Sequence, residues 1–175
     1  MTKSVLICAV LATPASLSFA QKSPPADTSL TVGGKTVTIK YSAPSVRGRQ
    51  IFGDGGLLSH DPHYPVWRAG ANSATALHTD ANLDIQGLKV PAGDYTLFVN
   101  VADPDHWELI VSKDTKEWGL AYKENMDLGR VKMNMSKPPA PIEVYKMTLS
   151  GSGGNSGKLQ LEWENHIASV SFTAQ

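Results

Sequence analysis

Residues 91–111, Pro91-Ala92-Gly93-Asp94-Tyr95-Thr96-Leu97-Phe98-Val99-Asn100-Val101-Ala102-Asp103-Pro104-Asp105-His106-Trp107-Glu108-Leu109-Ile110-Val111, decide the fold. Pro91-Ala92-Gly93 is a turn, and Tyr95, Leu97, Val99 and Val101 then fall on one side of the chain with a period of two. Asp103-Pro104-Asp105 turns the chain again, and Trp107, Leu109 and Val111 repeat the pattern. Outward from there the same period recurs. Val37, Ile39 and Tyr41 oppose Thr36, Thr38 and Lys40, with Gly33-Gly34 as a hairpin turn back to Ser29–Val32. Leu83 and Ile85 alternate with Asn82 and Asp84. Further on come Val131, Met133 and Met135, then Glu143 to Leu149, and then a flexible loop from Gly151 to Gly157. Leu159, Leu161 and Trp163 oppose Gln160, Glu162 and Glu164, and Val170 and Phe172 close the chain. Beyond one helical turn around Lys116 to Asn125, no amphipathic helix is predicted. The expectation is an all-β fold, an antiparallel β-sandwich or jelly roll of roughly eight to ten short strands. A membrane barrel also alternates, but the outward faces here carry Lys, Glu and Gln.

With 175 residues, 41% of them hydrophobic, the chain can fill one core and is too short for two ordinary domains. Lys+Arg and Asp+Glu are both 16, so no basic surplus points to nucleic acid or to an anionic membrane surface. Lys3, the apolar stretch Val5 to Ala12 and the small residues of Ser18-Phe19-Ala20 read as a signal peptide over residues 1–20, cut after Ala20. Cys8 is the one cysteine, and Ile7 before it is too bulky for a lipoprotein cleavage site. Residues 21–28, with Ser23-Pro24-Pro25, read as a disordered leader, and residues 29–175 as a single β-sandwich domain. The expected location is periplasmic or extracellular, with no membrane span in the mature protein.

Tyr41-Ser42-Ala43-Pro44-Ser45-Val46-Arg47-Gly48-Arg49-Gln50-Ile51-Phe52-Gly53 resembles the opening signature of a secreted bacterial family catalogued as domain of unknown function 2911. Similar motifs follow in order: Val66 to Asn72, Pro91 to Phe98, and Trp118-Gly119 with Tyr122. The resemblance runs from about Thr36 to Phe172 and implies a secreted, mainly β domain. It implies no activity, so no catalytic residue is carried over. Between Gly53 and Trp67 the chain departs from the shorter Gly-Leu-x-Pro-type loop expected there. The histidines of that loop are private to this protein or to a subgroup.

Two constellations carry candidate chemistry. In Trp67-Arg68-Ala69-Gly70-Ala71-Asn72, the guanidinium fork of Arg68 and the carboxamide of Asn72 are suited to a carboxylate, phosphate or sugar. The alternative is that both tie loop carbonyls together beneath Trp67, with Gly70 making a tight turn. Trp118, beside Gly119 in a predicted loop, is a candidate for stacking on a ligand, whereas Trp107 and Trp163 fall in register with core residues. The second constellation is His60 and His63 in one loop with His78 and Asp80 after a strand, a donor set capable of holding zinc. His60 and His63 are not on a predicted helix, so their spacing does not force them onto one face. Glu162 and Glu164 share a strand face and read as solvated rather than as a catalytic pair.

These observations favour a non-catalytic binding or accessory module of the cell envelope. Its partner would be a polysaccharide, a peptide or another protein, with no cofactor expected. A metal-dependent hydrolase using the loop histidines and zinc is one alternative; a purely structural envelope protein is the other.

Overall fold

The computed structural model describes residues 22–115 and 121–175. The signal segment 1–20 and Trp118 lie outside the described residues. Alternation along each strand becomes two antiparallel sheets packed face to face, the sandwich that the period of two requires. Sheet one runs β1 (Pro25–Val32), β2 (Lys35–Ser42), β4 (Thr75–Thr79), β7 (Gly93–Asn100), β8 (Glu108–Ser112) and β9 (Asp127–Lys132), and β3 (Val66–Trp67) pairs with the far end of β7. Sheet two runs β11 (Ile142–Gly153), β12 (Ser156–Glu164), β13 (His166–Ala174), β5 (Leu83–Ile85) and β6 (Leu88–Val90), and β10 (Asn134–Ser136) also pairs with β13. The strands therefore form two sheets rather than one closed barrel. No helix among the described residues is long and apolar enough to cross a membrane.

The stretch 91–111 holds the centre of sheet one. Tyr95, Leu97 and Val99 of β7, and Leu109 and Val111 of β8, face inward, and the buried Val101 and Trp107 extend the pattern past the strand ends. Sheet two answers with Leu149, Leu159, Leu161, Val170 and Phe172. The interface between the sheets leaves a void of only about 20 Å³. Phe98 and Ile110 point the other way yet are also buried. The chain after β8 folds back over them: Thr96 Oγ1 donates to the Asp114 carbonyl (2.6 Å), and Phe98 meets the Tyr122 ring at 5.0 Å.

The leader expected over 21–28 is corrected in part. Pro25 to Thr28 belong to β1 and pair with Ile39 to Ser42. The Ser-Pro-Pro composition misled because an edge strand tolerates a proline at its start. The run Val131, Met133, Met135 is likewise not one strand: β9 ends in sheet one, Met133 crosses over, and β10 joins sheet two.

Both open sides of the sandwich are stapled, which blunts the strand edges. On one side Thr28 Oγ1 accepts from the Leu149 N–H (3.0 Å), and Ser45 bridges Val144. On the other, the Gln86 side chain donates to the Lys132 carbonyl of edge strand β9 (2.9 Å) and accepts from the Ser171 N–H (3.1 Å).

Candidate functional site

The segment Tyr41 to Gly53 is a strap from sheet one to sheet two. The Tyr41 hydroxyl accepts from the Met147 N–H (3.0 Å), the Pro44 carbonyl accepts from the Tyr145 N–H (2.8 Å), and the Val46 N–H donates to the Glu143 carbonyl (2.8 Å). The strap ends by burying Ile51 and Phe52 at one end of the sandwich. Phe52 is the hub of an aromatic cluster there, with ring centroids 6.0 Å from Trp67, 4.9 Å from Trp107, 5.7 Å from Trp163 and 4.7 Å from His166. Tyr145 packs edge-on against Trp67 at 5.0 Å. Among the described residues, Trp107 Nε1, Trp163 Nε1, the Tyr145 hydroxyl and His166 Nδ1 are buried there without a hydrogen-bond partner. Burial pushes the Tyr145 hydroxyl well above the ordinary phenol range and lowers His166 below the ordinary histidine value.

The following loop covers this cluster. Leu57 to His60 form a 3₁₀ turn, tied back by the Leu57 N–H to the Gln50 carbonyl (2.9 Å) and the Leu58 N–H to the Ile51 carbonyl (3.1 Å). Only glycine fits at position 56, because a Cβ there would lie 2.7 Å from the carbonyl oxygens of both Ile51 and Phe52. His60 Nδ1 sits 3.1 Å from the Gly56 carbonyl and so carries its proton on that side. Asp61 Oδ1 accepts from the His63 N–H (3.1 Å), and Asp61 Oδ2 accepts from Arg68 Nη2 (2.9 Å). Both side chains of this ion pair are largely withdrawn from solvent, at 15% and 11% exposure.

Between this loop and the segment after β3 lies a cavity of about 380 Å³. Its walls include Pro44, Leu57, Leu58, Trp67 and Trp163, and its polar groups are His60, Asp61, Arg68 and Asn72. The structure thus brings the sequence-predicted Trp67, Arg68, Asn72 and His60 together. It also shows what holds them. Trp67 Nε1 donates to the Gly70 carbonyl (2.9 Å), Arg68 Nη1 to the Asn72 carbonyl (3.1 Å), and Asn72 Nδ2 to the Ser23 carbonyl (2.9 Å). The turn is made by Ala69 and Asn72, with φ of 51° and 59°, rather than by Gly70.

The four candidate zinc ligands are not brought together. His60 lines the cavity, His63 packs edge-on against Tyr122 at 6.1 Å, and His78 lies on the outer face of sheet one. There His78 Nδ1 is 2.7 Å from Asp94 and Nε2 is 3.2 Å from Asp80, a contact that raises its affinity for a proton. Register explains the separation. His78 pairs opposite Asp94 while Trp67 pairs opposite Val99, which puts them about 17 Å apart along β7. Among the described residues no group of three or more His, Cys, Asp or Glu is placed to hold a metal ion. His78, Asp94, Lys40 and Thr96 border an open groove of about 660 Å³ on that face.

Glu164 is a further correction. It occupies the β12–β13 turn with φ 51°, accepts from the Ile51 N–H (3.4 Å) and lies 3.8 Å from His166, so it holds the strap instead of facing water. Missed from the sequence were the cavity roles of Leu57 and Trp163 and the pairing of Asp94 with His78. Strand register carries that information, and no local pattern reports it.

A two-sheet antiparallel sandwich with one mixed polar and apolar cavity at its loop end is the class that fold and site define. The chain belongs to the family described as "Protein of unknown function (DUF2911)", whose model matches residues 23–172. No curated protein and no solved structure matches it.

Proposed function

We propose that this is a secreted, periplasmic or extracellular binding module that takes its ligand in the loop-end cavity and performs no catalysis on it. The observation that carries the reading is the convergence, around about 380 Å³, of a largely buried Arg68–Asp61 pair with apolar walls from both sheets. That size and mixture are those of small-ligand sites. Among the described residues, the cavity lining includes no hydroxyl or thiol nucleophile. Within it, His60 is turned by its Nδ1 toward a backbone carbonyl rather than toward an orienting carboxylate. A glycan laid across an aromatic platform is the less favoured partner, since Trp67 and Trp163 are each only 2% exposed and offer almost no ring surface for stacking. A small molecule, or the end of a peptide or saccharide chain, fits better.

The test is a thermal-shift screen of the purified protein against peptides, envelope oligosaccharides and divalent metals. A ligand at a hundred times its dissociation constant adds about 2.7 kcal/mol, or roughly 5–10 °C for a domain of this size. Arg68→Lys should remove the shift. A zinc-dependent shift abolished by replacing His60 and His63 would favour the hydrolase instead, and a flat screen a structural role. For secretion, mass spectrometry of the periplasmic and extracellular protein should find an N-terminus at Gln21; an intact Met1 there would overturn it.

A further inference from the structure

We infer that the protein pairs with a second copy of itself through the outer edge of β1, joining the two copies of sheet one into one continuous sheet about a two-fold axis. The alternation of backbone bonds fixes which groups lie at that edge. The Ala43 N–H donates to the Pro24 carbonyl (2.8 Å) and the Asp80 N–H to the Thr36 carbonyl (2.9 Å), so Ala26, Thr28, Leu30 and Val32 bond to β2. Asp27, Ser29 and Thr31 then turn their backbone N–H and C=O groups away from the sheet, and these groups have no partner among the described residues. The Thr28–Leu149 staple satisfies the backbone of β11, not that of β1. The other edges carry guards. β11 spends the Tyr145, Met147 and Leu149 N–H groups on Pro44, Tyr41 and Thr28, and its register slips between Ile142 and Lys146 and again between Gly151 and Gly153. β9 is plugged by Gln86, has Leu88 lying against Gly129 and carries Arg130 and Lys132, while β3, β6 and β10 are only two or three residues long. β1 has eight residues, an unbroken register, no basic side chain and a proline only at its first position. An edge left that open is a template for another strand.

The occupant that fits is the same strand. A foreign peptide added to an edge is read through pockets for its alternate side chains, and β1 lines none of the cavities described above. Backbone pairing remains, and for that β1 is its own complement. With the two-fold axis at Ser29, Ser29 faces its own copy and Asp27 faces Thr31, so each outward N–H meets an outward C=O. An axis at Thr28 would set Thr31 against Pro25, which has no N–H, and an axis at Leu30 would set Asp27 against Gly33, which lies in the hairpin turn at φ 58°. Asp27 is the strand's only charge, and the pairing carries it about 13 Å from its own copy, beyond the Debye length of about 8–10 Å, so no like charges meet. On the inner face, the half-buried Leu30 comes opposite Thr28 and gains cover. The Pro25 end of β1 lies on the cavity side of the molecule, where Asn72 holds the Ser23 carbonyl. Antiparallel pairing therefore sends the two loop-end cavities to opposite ends and closes neither.

Sedimentation velocity of the purified protein tests the pairing. A strand pair buries less than the roughly 1,600 Å² of a standard interface, so the mass should climb from one chain toward two between about 1 μM and 1 mM. Ser29→Pro deletes an N–H that bonds to nothing within the chain, and should hold the mass at one chain while the circular dichroism spectrum is kept. Thr31→Asp sets a carboxylate opposite Asp27 and should weaken the dimer severalfold, whereas Thr31→Lys should tighten it. Disulfide trapping in a Cys8→Ser background reads the register. Ser29→Cys should cross-link to itself, Asp27→Cys alone should not, and Asp27→Cys mixed with Thr31→Cys should. A mass of one chain at every concentration overturns the inference. So does a dimer that Ser29→Pro and Thr31→Asp leave unchanged, which would place the contact on another surface. Should Ser29→Pro unfold the chain, the two Thr31 variants and the trapping decide. Cross-links from Asp27→Cys alone, without any from Ser29→Cys, would overturn the axis at Ser29 and the pairing with it.

Discussion

At the loop end of the sandwich, Trp107, Trp163, Tyr145 and His166 are buried with polar atoms that find no hydrogen-bond partner among the described residues, over an Arg68–Asp61 pair largely withdrawn from water. On the outer face of sheet one, His78 sits half exposed between Asp94 and Asp80, with both ring nitrogens engaged. The second region has contacts of similar length and the better-satisfied polar groups, yet solvent screens those contacts and they contribute little. The first bears a desolvation cost that a fold selected for stability alone would avoid by using apolar side chains. Unsatisfied groups concentrated at one end, beside a cavity, are therefore the stronger pointer to binding.

The largest effect that sharpens this contrast is Trp163→Ala. It should cost about 3–5 kcal/mol and lower the melting temperature by roughly 6–20 °C, read by calorimetry. The matching change on the outer face, His78→Ala, should stay within about 0.5 kcal/mol. Next comes Arg68→Ala, which leaves the Asp61 carboxylate withdrawn from solvent without its cation and should cost about 2–3 kcal/mol in urea unfolding. A loss under about 0.5 kcal/mol would place Arg68 with the screened outer-face charges and break the comparison.

Two tyrosines 5.5 Å apart give a finer test within the loop end. Tyr41→Phe strands the buried Met147 N–H and should cost about 1 kcal/mol, whereas Tyr145→Phe removes an orphan hydroxyl and should be neutral or stabilising.

The smallest effect is one of sign, between His166 and His78. Burial holds His166 below the unfolded value of 6.5, opposed by Glu164 and Asp105 and assisted by Lys137. The unfolded chain therefore takes up that proton first, and stability falls as pH drops below about 6.5 toward the folded pKa. His78 is raised above 6.5 by its hydrogen bonds to Asp94 and then Asp80. Its contribution is fully present below 6.5 and is lost as pH rises through the folded pKa. Unfolding curves from about pH 5 to pH 8 should show the acid-side slope flattened by His166→Phe and the alkaline-side slope by His78→Gln. A variant that flattens the opposite side would reverse the assignment.

Much of the fold was legible because strand alternation is a local property. Tyr95, Leu97, Val99, Leu109 and Val111 declare their buried face without reference to any partner. The site was legible only in pieces. Arg68 and Asn72 stood out by chemistry, and the structure adds that they brace the loops whose other side chains, Leu57 and Trp163, complete the cavity. The proposed zinc set failed for the same reason that Asp94 was overlooked: which residue lies opposite His78 depends on the register of β4 against β7.

The sequence alone determined an all-β domain, the inward side of strands such as β2, β7, β8 and β12, and the family to which the chain belongs. Tertiary structure decided that Phe98 and Ile110 are buried on the second face of their sheet. It decided that Glu164 holds the strap, and that residues from positions 44, 57, 68 and 163 share one cavity. The reason is physical. Side-chain alternation follows from the backbone geometry of one strand, while pairing order, register and the meeting of loops depend on contacts between residues distant in the chain.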